Sequence, residues 1–272
     1  MPIVQEFMFM NGSDQDVQEG IYGYLTINDA FSQEAERMSS IKKYRVLDGT
    51  TLKIIAMISM VFDHAGDLFF PEVMWPRMIG RLGMPIFAFC IAEGYAHTRD
   101  KMKYLRRIGL FALISEIPFD LAFEGRIGFD HQNIMLTFFL AVSALMLFDR
   151  IRGGADPEGK PPVGRTVLGI LTVAAIAVLA LVLRADYTVF GVIGVFLFYA
   201  LRQKHHLLRV GVGTAFLALT RTVGYYCATG FSFIPLAMYN GKKGKGLKWL
   251  FYVFYPGHLL LLALIKRVIL RA

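Results

Sequence analysis

This chain of 272 residues is poor in charge and in cysteine. Only 18% of its residues are Asp, Glu, Lys or Arg, against about 25% in a soluble domain. Hydrophobic residues make up 55%, gathered in blocks, and the mean hydropathy is +0.48. A water-soluble globular enzyme is thereby excluded, and so is a disordered chain, which needs low hydrophobicity and high net charge. The two cysteines, Cys90 and Cys227, both sit in apolar stretches and make no disulfide framework, CxxC pair or zinc spacing. A Gly-rich phosphate loop is also missing: GKKGKG at 241–246 lacks the Ser/Thr and the strand context of a Walker motif. A net charge of +8 and a pI near 9.5 would suggest nucleic acid in a soluble protein. Here the basic residues stand between apolar blocks, the pattern of cytoplasmic membrane loops, and no nucleic-acid partner is expected.

What is present divides in two. Residues 1–46 are acidic through Glu6, Asp14, Asp16, Glu19, Asp29, Glu34 and Glu36 until a basic flank begins at Arg37. Without the basic start and apolar run of a secretory signal, they are read as a cytoplasmic extension with a short helix near Asn28–Met38. Residues 47–272 are read as an integral membrane domain. A crossing needs roughly 20 apolar residues. The spacing predicts crossings at Thr51–Phe70, Arg77–His97, Lys103–Phe123, Gln132–Arg150, Arg165–Arg184, Tyr187–Leu201, two within Leu207–Tyr239 divided near Arg221, and Leu247–Lys266. The expected fold class is therefore all-α, a polytopic bundle of about nine spanning helices. Gly153–Pro162 is the one obvious internal linker.

Lys and Arg concentrate in alternate loops: Arg99–Arg107, Arg150–Arg165, Arg202–Arg209 and Lys242–Lys248. These loops are assigned to the cytoplasm together with the N-terminus. Lys266, Arg267 and Arg271 fall on the other side in this scheme.

An ionisable group at the centre of a membrane helix costs at least about 2.5–3.5 kcal/mol, so function is the default hypothesis for it. The first expected helix carries Asp63, His64 and Asp67; the second carries Arg77, Arg81, Glu93 and His97. Asn133 opens the fourth, and Tyr255 and His258 lie in the last. Asp63 and His64 are adjacent, so on a helix they diverge by about 100°. Asp67 is one turn from either and suits both. Asp63 with Arg81 has a plain reading as an ion pair between helices, and His258 has one as a donor to a backbone carbonyl. Glu93 and His97, at i,i+4, read as an interfacial pair. A metal site is not expected, because His64 and His97 fall at opposite depths.

Three stretches resemble one family: LKIIAMISMVFDHAG, IGRLGMPIFAFCIAEGYAHTRDKMKYLRRI and FYVFYPGHLLLL, with support from SEIPFDL, NIMLT, Asp186–Tyr187 and MYNGKKG. Over about Leu47–Lys266 the chain is similar to the TraX family, whose name-giving member is the inner-membrane acetylase of F pilin. The resemblance implies a multi-pass protein of the inner membrane that takes acetyl from acetyl-CoA. The acceptor it implies is the N-terminal amine of a membrane-associated peptide or pilin. The positions that match are Asp63, His64, Arg81, Glu93, Asn133, Tyr255 and His258.

Chemistry suggests the roles. Attack on a thioester needs a neutral amine, a base and a stabilised oxyanion. A peptide α-amine, near pKa 8, suits an ordinary imidazole base better than Lys does. His64 is the expected base, with Asp63 or Asp67 fixing its tautomer. Arg81, helped by Asn133, is expected to meet the oxyanion. His258 is either an alternative base or a proton relay to the thiolate, and an acetyl-His intermediate remains open. Asp67, Glu93, Asn133 and Tyr255 are assigned to substrate binding. The basic loops face incoming coenzyme A, whose pantetheine arm would need a narrow channel from the cytoplasm. Two other readings use the same residues: acyl transfer to a cell-surface sugar or peptide hydroxyl, and proton-coupled transport.

Overall fold

The computed structural model describes residues 43–153, 162–219 and 226–269. The chain divides into Met1–Val46 and Leu47–Ala272, and everything below concerns the second unit. The helix expected near 28–38, the linker residues 154–161 and the division near Arg221 lie outside the described residues.

Among the described residues the fold is helical, with two isolated β-bridges and no strand. The helices are α1 (Gly49–Phe69), α2 (Met74–Gly80), α3 (Gly83–His97), α4 (Lys101–Phe123), α5 (Ile134–Arg152) and α6 (Val163–Val182). Then follow α7 (Thr188–Ala200), α8 (His206–Leu219), the short α9 (Tyr226–Gly230) and α10 (Phe233–Ala237), and α11 (Lys248–Ile269). Local chemistry sets several boundaries. Asp48, Asp100 and Asn133 cap α1, α4 and α5 by accepting from Thr51 N, Lys103 N and Met135 N. The Asp48 carboxyl is held below its ordinary pKa by the Thr51 amide and hydroxyl.

Length and composition identify three helices able to cross a membrane: α5, α6 and residues Trp249–Ile269 of α11. The other expected crossings are helical but shorter, as in α7 and α8, or interrupted by ionisable side chains, as in α1 and α4. The apolar stretch of α5 is 56% buried within the protein, whereas those of α6 and α11 are 22% buried. These two present most of their Leu, Ile and Val side chains outward, as a lipid-facing surface does, while Val173, Leu259 and Leu262 face inward.

The expected second crossing is broken. Residues 77–97 form the end of α2, a turn at Arg81 and Leu82, and α3. Pro85 explains the position: it has no N–H to offer, and its ring crowds the carbonyl four residues back, which belongs to Arg81. The Leu82 amide reaches only to Ile79 O, at 3.2 Å. Arg81 and Leu82 keep right-handed helical backbone angles across the break, and α2 presses on α1. A Cβ on Gly80 would stand 2.2 Å from Asp63 Cβ. Gly80→Ala is therefore expected to destabilise the protein by about 1–3 kcal/mol through overpacking, read as a lower thermal midpoint in detergent.

The core lies where α3, α5 and α7 meet. Ile86, Phe89, Tyr95, Val142, Leu145, Val192 and Phe198 are all nearly inaccessible there. α1 packs on α2, α3 and α11, and α11 packs on α4. At the start of α1 the loop 238–246 is fastened by Leu47 N to Met238 O, Asn240 N to Leu47 O and Gly49 N to Lys242 O. Thr50 Oγ1 donates to Lys245 O at 2.7 Å. Gly244 permits this contact at φ 76°, since any Cβ there would lie 2.6 Å from the Asp48 carboxylate.

Candidate functional site

The polar residues of α1 point to two different neighbours. His64 turns toward α11, where its Nδ1 lies 2.9 Å from His258 Nε2. His258 Nδ1 in turn lies 2.8 Å from Phe254 O. A carbonyl only accepts, so His258 carries its hydrogen on Nδ1 and offers a lone pair at Nε2. His64 must then donate from Nδ1, which leaves its own Nε2 as the basic nitrogen of the pair. Phe254 stacks on His258 at 4.6 Å between ring centroids, and Phe123 meets His64 edge-on at 5.2 Å. Tyr255 is buried beside His258, with its hydroxyl at the Ile134 amide.

Asp63 and Asp67 face α2 instead. Asp67 is bonded to Arg77. Asp63 Oδ1 lies 3.9 Å from Arg77 Nε and 3.7 Å from Arg81 Nη2. This corrects one expectation: neither aspartate fixes the His64 tautomer, because His258 does. Spacing allowed Asp67 to serve Asp63 or His64, and the guanidinium of Arg77 is a stronger partner than either. Asp63 Oδ1 is buried and has no hydrogen-bond partner among the described residues.

Of these groups, Asp63 and His64 line a cavity of about 30 Å³ together with Gly80, Ile134, Asp186 and Tyr187 among others, and Arg81 adjoins it through Asp63 and Tyr187. That is room for about two waters or one acetyl-sized group.

One wall comes from the turn between α6 and α7, where three non-glycine residues adopt the left-handed region: Arg184 at φ 53°, Tyr187 at 60° and Thr188 at 41°. Each such residue carries strain of about 1–3 kcal/mol, and strain of this kind clusters at functional sites. The turn is locked to the start of α5 by Gln132 N to Arg184 O at 3.0 Å and Asp186 N to Gln132 O at 2.9 Å. The Thr137 hydroxyl also donates to Asp186 O. Tyr187 reaches Arg81, which accordingly holds Asp63 on one side and the tyrosine oxygen on another. Arg81 is buried, at 8% exposure.

Two expected site residues lie apart from the cavity. Asn133 caps α5 through Oδ1, and its Nδ2 donates both to Ala112 O at 2.9 Å and to Glu116. Both amide hydrogens are engaged, so it is a helix cap and not the expected helper of Arg81. Glu93 sits ten residues along α3 from Gly83, about 15 Å at helical rise. There it pairs with Arg209 at 2.7 Å and accepts from Tyr239 Oη at 3.3 Å, with His97 Nδ1 at 3.8 Å. Arg209 also donates to Phe198 O at 2.6 Å and covers the Phe89 ring. Its position in a basic run made it look like a loop cation; it is one turn inside α8 and buried. Glu93→Ala leaves that cation without its carboxylate and is expected to lower stability by about 3–5 kcal/mol. Thermal unfolding of the purified protein measures it, and a shift of under one degree would refute the pairing's structural role.

Three residues that sequence reasoning did not assign complete the site: Arg77, Asp186 and Tyr187. The sequence signal for the last two is the dipeptide Asp186–Tyr187 between apolar helices, in a turn that has no glycine.

Residues 48–266 match the family described as TraX protein. The chain belongs to the TraX family. It is 30% identical over 243 residues to the probable fimbrial assembly protein FimC, serogroup H1, of Dichelobacter nodosus, covering 79% of this chain and 94% of that protein. It is also 34% identical over 97 residues to the protein RP591 of Rickettsia prowazekii (strain Madrid E), 36% of each chain. No solved structure matches it. The TraX match contains every residue of the cavity wall and both histidines.

Proposed function

We propose that this TraX-family chain is an integral membrane acetyltransferase. It moves acetyl from acetyl-CoA to an acceptor amine, the N-terminal amine of a membrane-associated peptide or pilin. The observation that carries the reading is the His64–His258 pair, which leaves one basic imidazole nitrogen on a residue whose cavity Asp63 also lines, with the buried Arg81 3.7 Å from that carboxylate. The donor and acceptor are those the sequence resemblance implies, and a pilus-related role agrees with the printed name of the Dichelobacter relative. It works in the inner membrane, with the N-terminus and the basic loops in the cytoplasm. There the exposed Lys242, Lys243 and Lys245 meet the phosphates of coenzyme A.

The reaction is direct transfer. Asp63 Oδ1 accepts an N–H of the incoming amine, and His64 Nε2 removes the proton as nitrogen attacks the thioester carbon. The carbonyl oxygen becomes negative beside Arg81, which stabilises it. Collapse breaks the C–S bond, and the imidazolium returns its proton to the departing thiolate, giving the amide and coenzyme A. His258 shares the positive charge on His64 through their hydrogen bond. Incubating the purified protein in nanodiscs with carbon-14 acetyl-CoA and a short amphipathic peptide tests the proposal. Label on the peptide N-terminus supports it. Label on a hydroxyl, or none at all while wild-type protein remains folded, rejects it.

A further inference from the structure

We propose that Tyr187 is a positioning residue that holds Arg81 against the His64 cavity, and that the left-handed turn at 184–188 exists to place it there. The inference rests on the proposed acetyl transfer and deepens it. Arg81 stands in the two-residue turn between α2 and α3, where the backbone stays right-handed helical and only side-chain contacts set where the guanidinium lies. Its contact with Asp63, at 3.7 Å, is loose. A guanidinium only donates, so the Tyr187 oxygen accepts from Arg81 and gives the planar group a second partner. The turn that brings Tyr187 into reach holds Arg184, Tyr187 and Thr188 in a backbone region that L-residues avoid. Ala185 is fully buried between them, and two backbone bonds tie the turn to Gln132. A connection with no task at the cavity would be relaxed by glycine, and this one has none.

The test compares wild type with Tyr187→Phe, which keeps the ring and the turn and removes the oxygen. Expected are a fall in kcat of about 10- to 50-fold, smaller than for loss of a direct oxyanion donor, an unchanged KM for acetyl-CoA and an unchanged thermal midpoint. Tyr187→Asn, whose side chain tolerates the left-handed region, is expected to lose the same rate and serves if the Phe variant does not fold. Arg184→Gly and Thr188→Gly are expected to raise the thermal midpoint, because they relieve the strain of the turn. A second readout needs no turnover: phenylglyoxal labelling of Arg81, mapped by mass spectrometry, should quicken severalfold in Tyr187→Phe. Full kcat with unchanged Arg81 labelling overturns the proposal, as does a kcat loss that only parallels a loss of stability. If wild type transfers no acetyl, the proposed function fails, and the labelling alone decides whether Tyr187 positions Arg81.

Discussion

His64→Ala is expected to reduce acetyl transfer about 10³-fold, with the KM for acetyl-CoA within twofold of wild type. General acid–base catalysis by a positioned side chain contributes 10²–10⁴, and 10³ corresponds to about 4 kcal/mol of transition-state stabilisation. The donor's affinity should hold because its phosphates bind far from the imidazole. His258→Ala removes the group that fixes the His64 tautomer but leaves a base in place, so a smaller fall of about 10²-fold is expected. The double variant should be no slower than His64→Ala, since two groups acting as one unit are not additive. Initial rates at saturating acetyl-CoA measure all three, with gel filtration to show that each protein is folded. Retention of a third of the wild-type rate by His64→Ala would remove it as the base. Rapid quenching followed by mass spectrometry separates direct transfer from an acetylated His64 in the wild type.

The hydrophobic blocks and the helical segments they form were legible in the sequence, and so was the presence of polar side chains on α1, beside α2 and in the middle of α11. What was not legible is which of these residues touch. His64 and His258 are 194 positions apart, and the sequence carries no information on the rotation of α11 that brings them to 2.9 Å. Asp67 shows the limit of spacing rules: one turn from two candidates, it went to a third group, Arg77, on a helix whose start the sequence blurred into a longer crossing. Pro85 has its consequence four residues upstream, at the carbonyl of Arg81, where the expected second crossing breaks. Asn133 before an apolar run is an ordinary N-cap signal, and its cap explains it without any role in catalysis. Arg209 was hidden by its neighbours: in a run with Arg202 and Lys204 it resembled an orienting charge, and only the start of α8 at His206 turns it inward.

Arg81→Ala is expected to lower kcat about 10²–10³-fold, the range for removing one donor to a developing oxyanion. Arg81→Lys should recover little of it. The lysine ammonium is a point charge on a flexible stem, whereas the guanidinium is a planar fork that meets both Asp63 and Tyr187. Stability offers an opposing argument, since Asp63 would lose a partner in Arg81→Ala. Arg77 remains 3.9 Å from the same carboxylate oxygen, so the carboxylate is not left alone and the protein should still fold. If the loss of rate came from misfolding, rate and thermal midpoint would fall together in Arg81→Ala. If Arg81 stabilises the oxyanion, the midpoint stays close to that of wild type and the rate still falls. The two quantities, measured on the same preparations, distinguish a guanidinium that ties α1 to α2 from one that also meets the reacting oxygen.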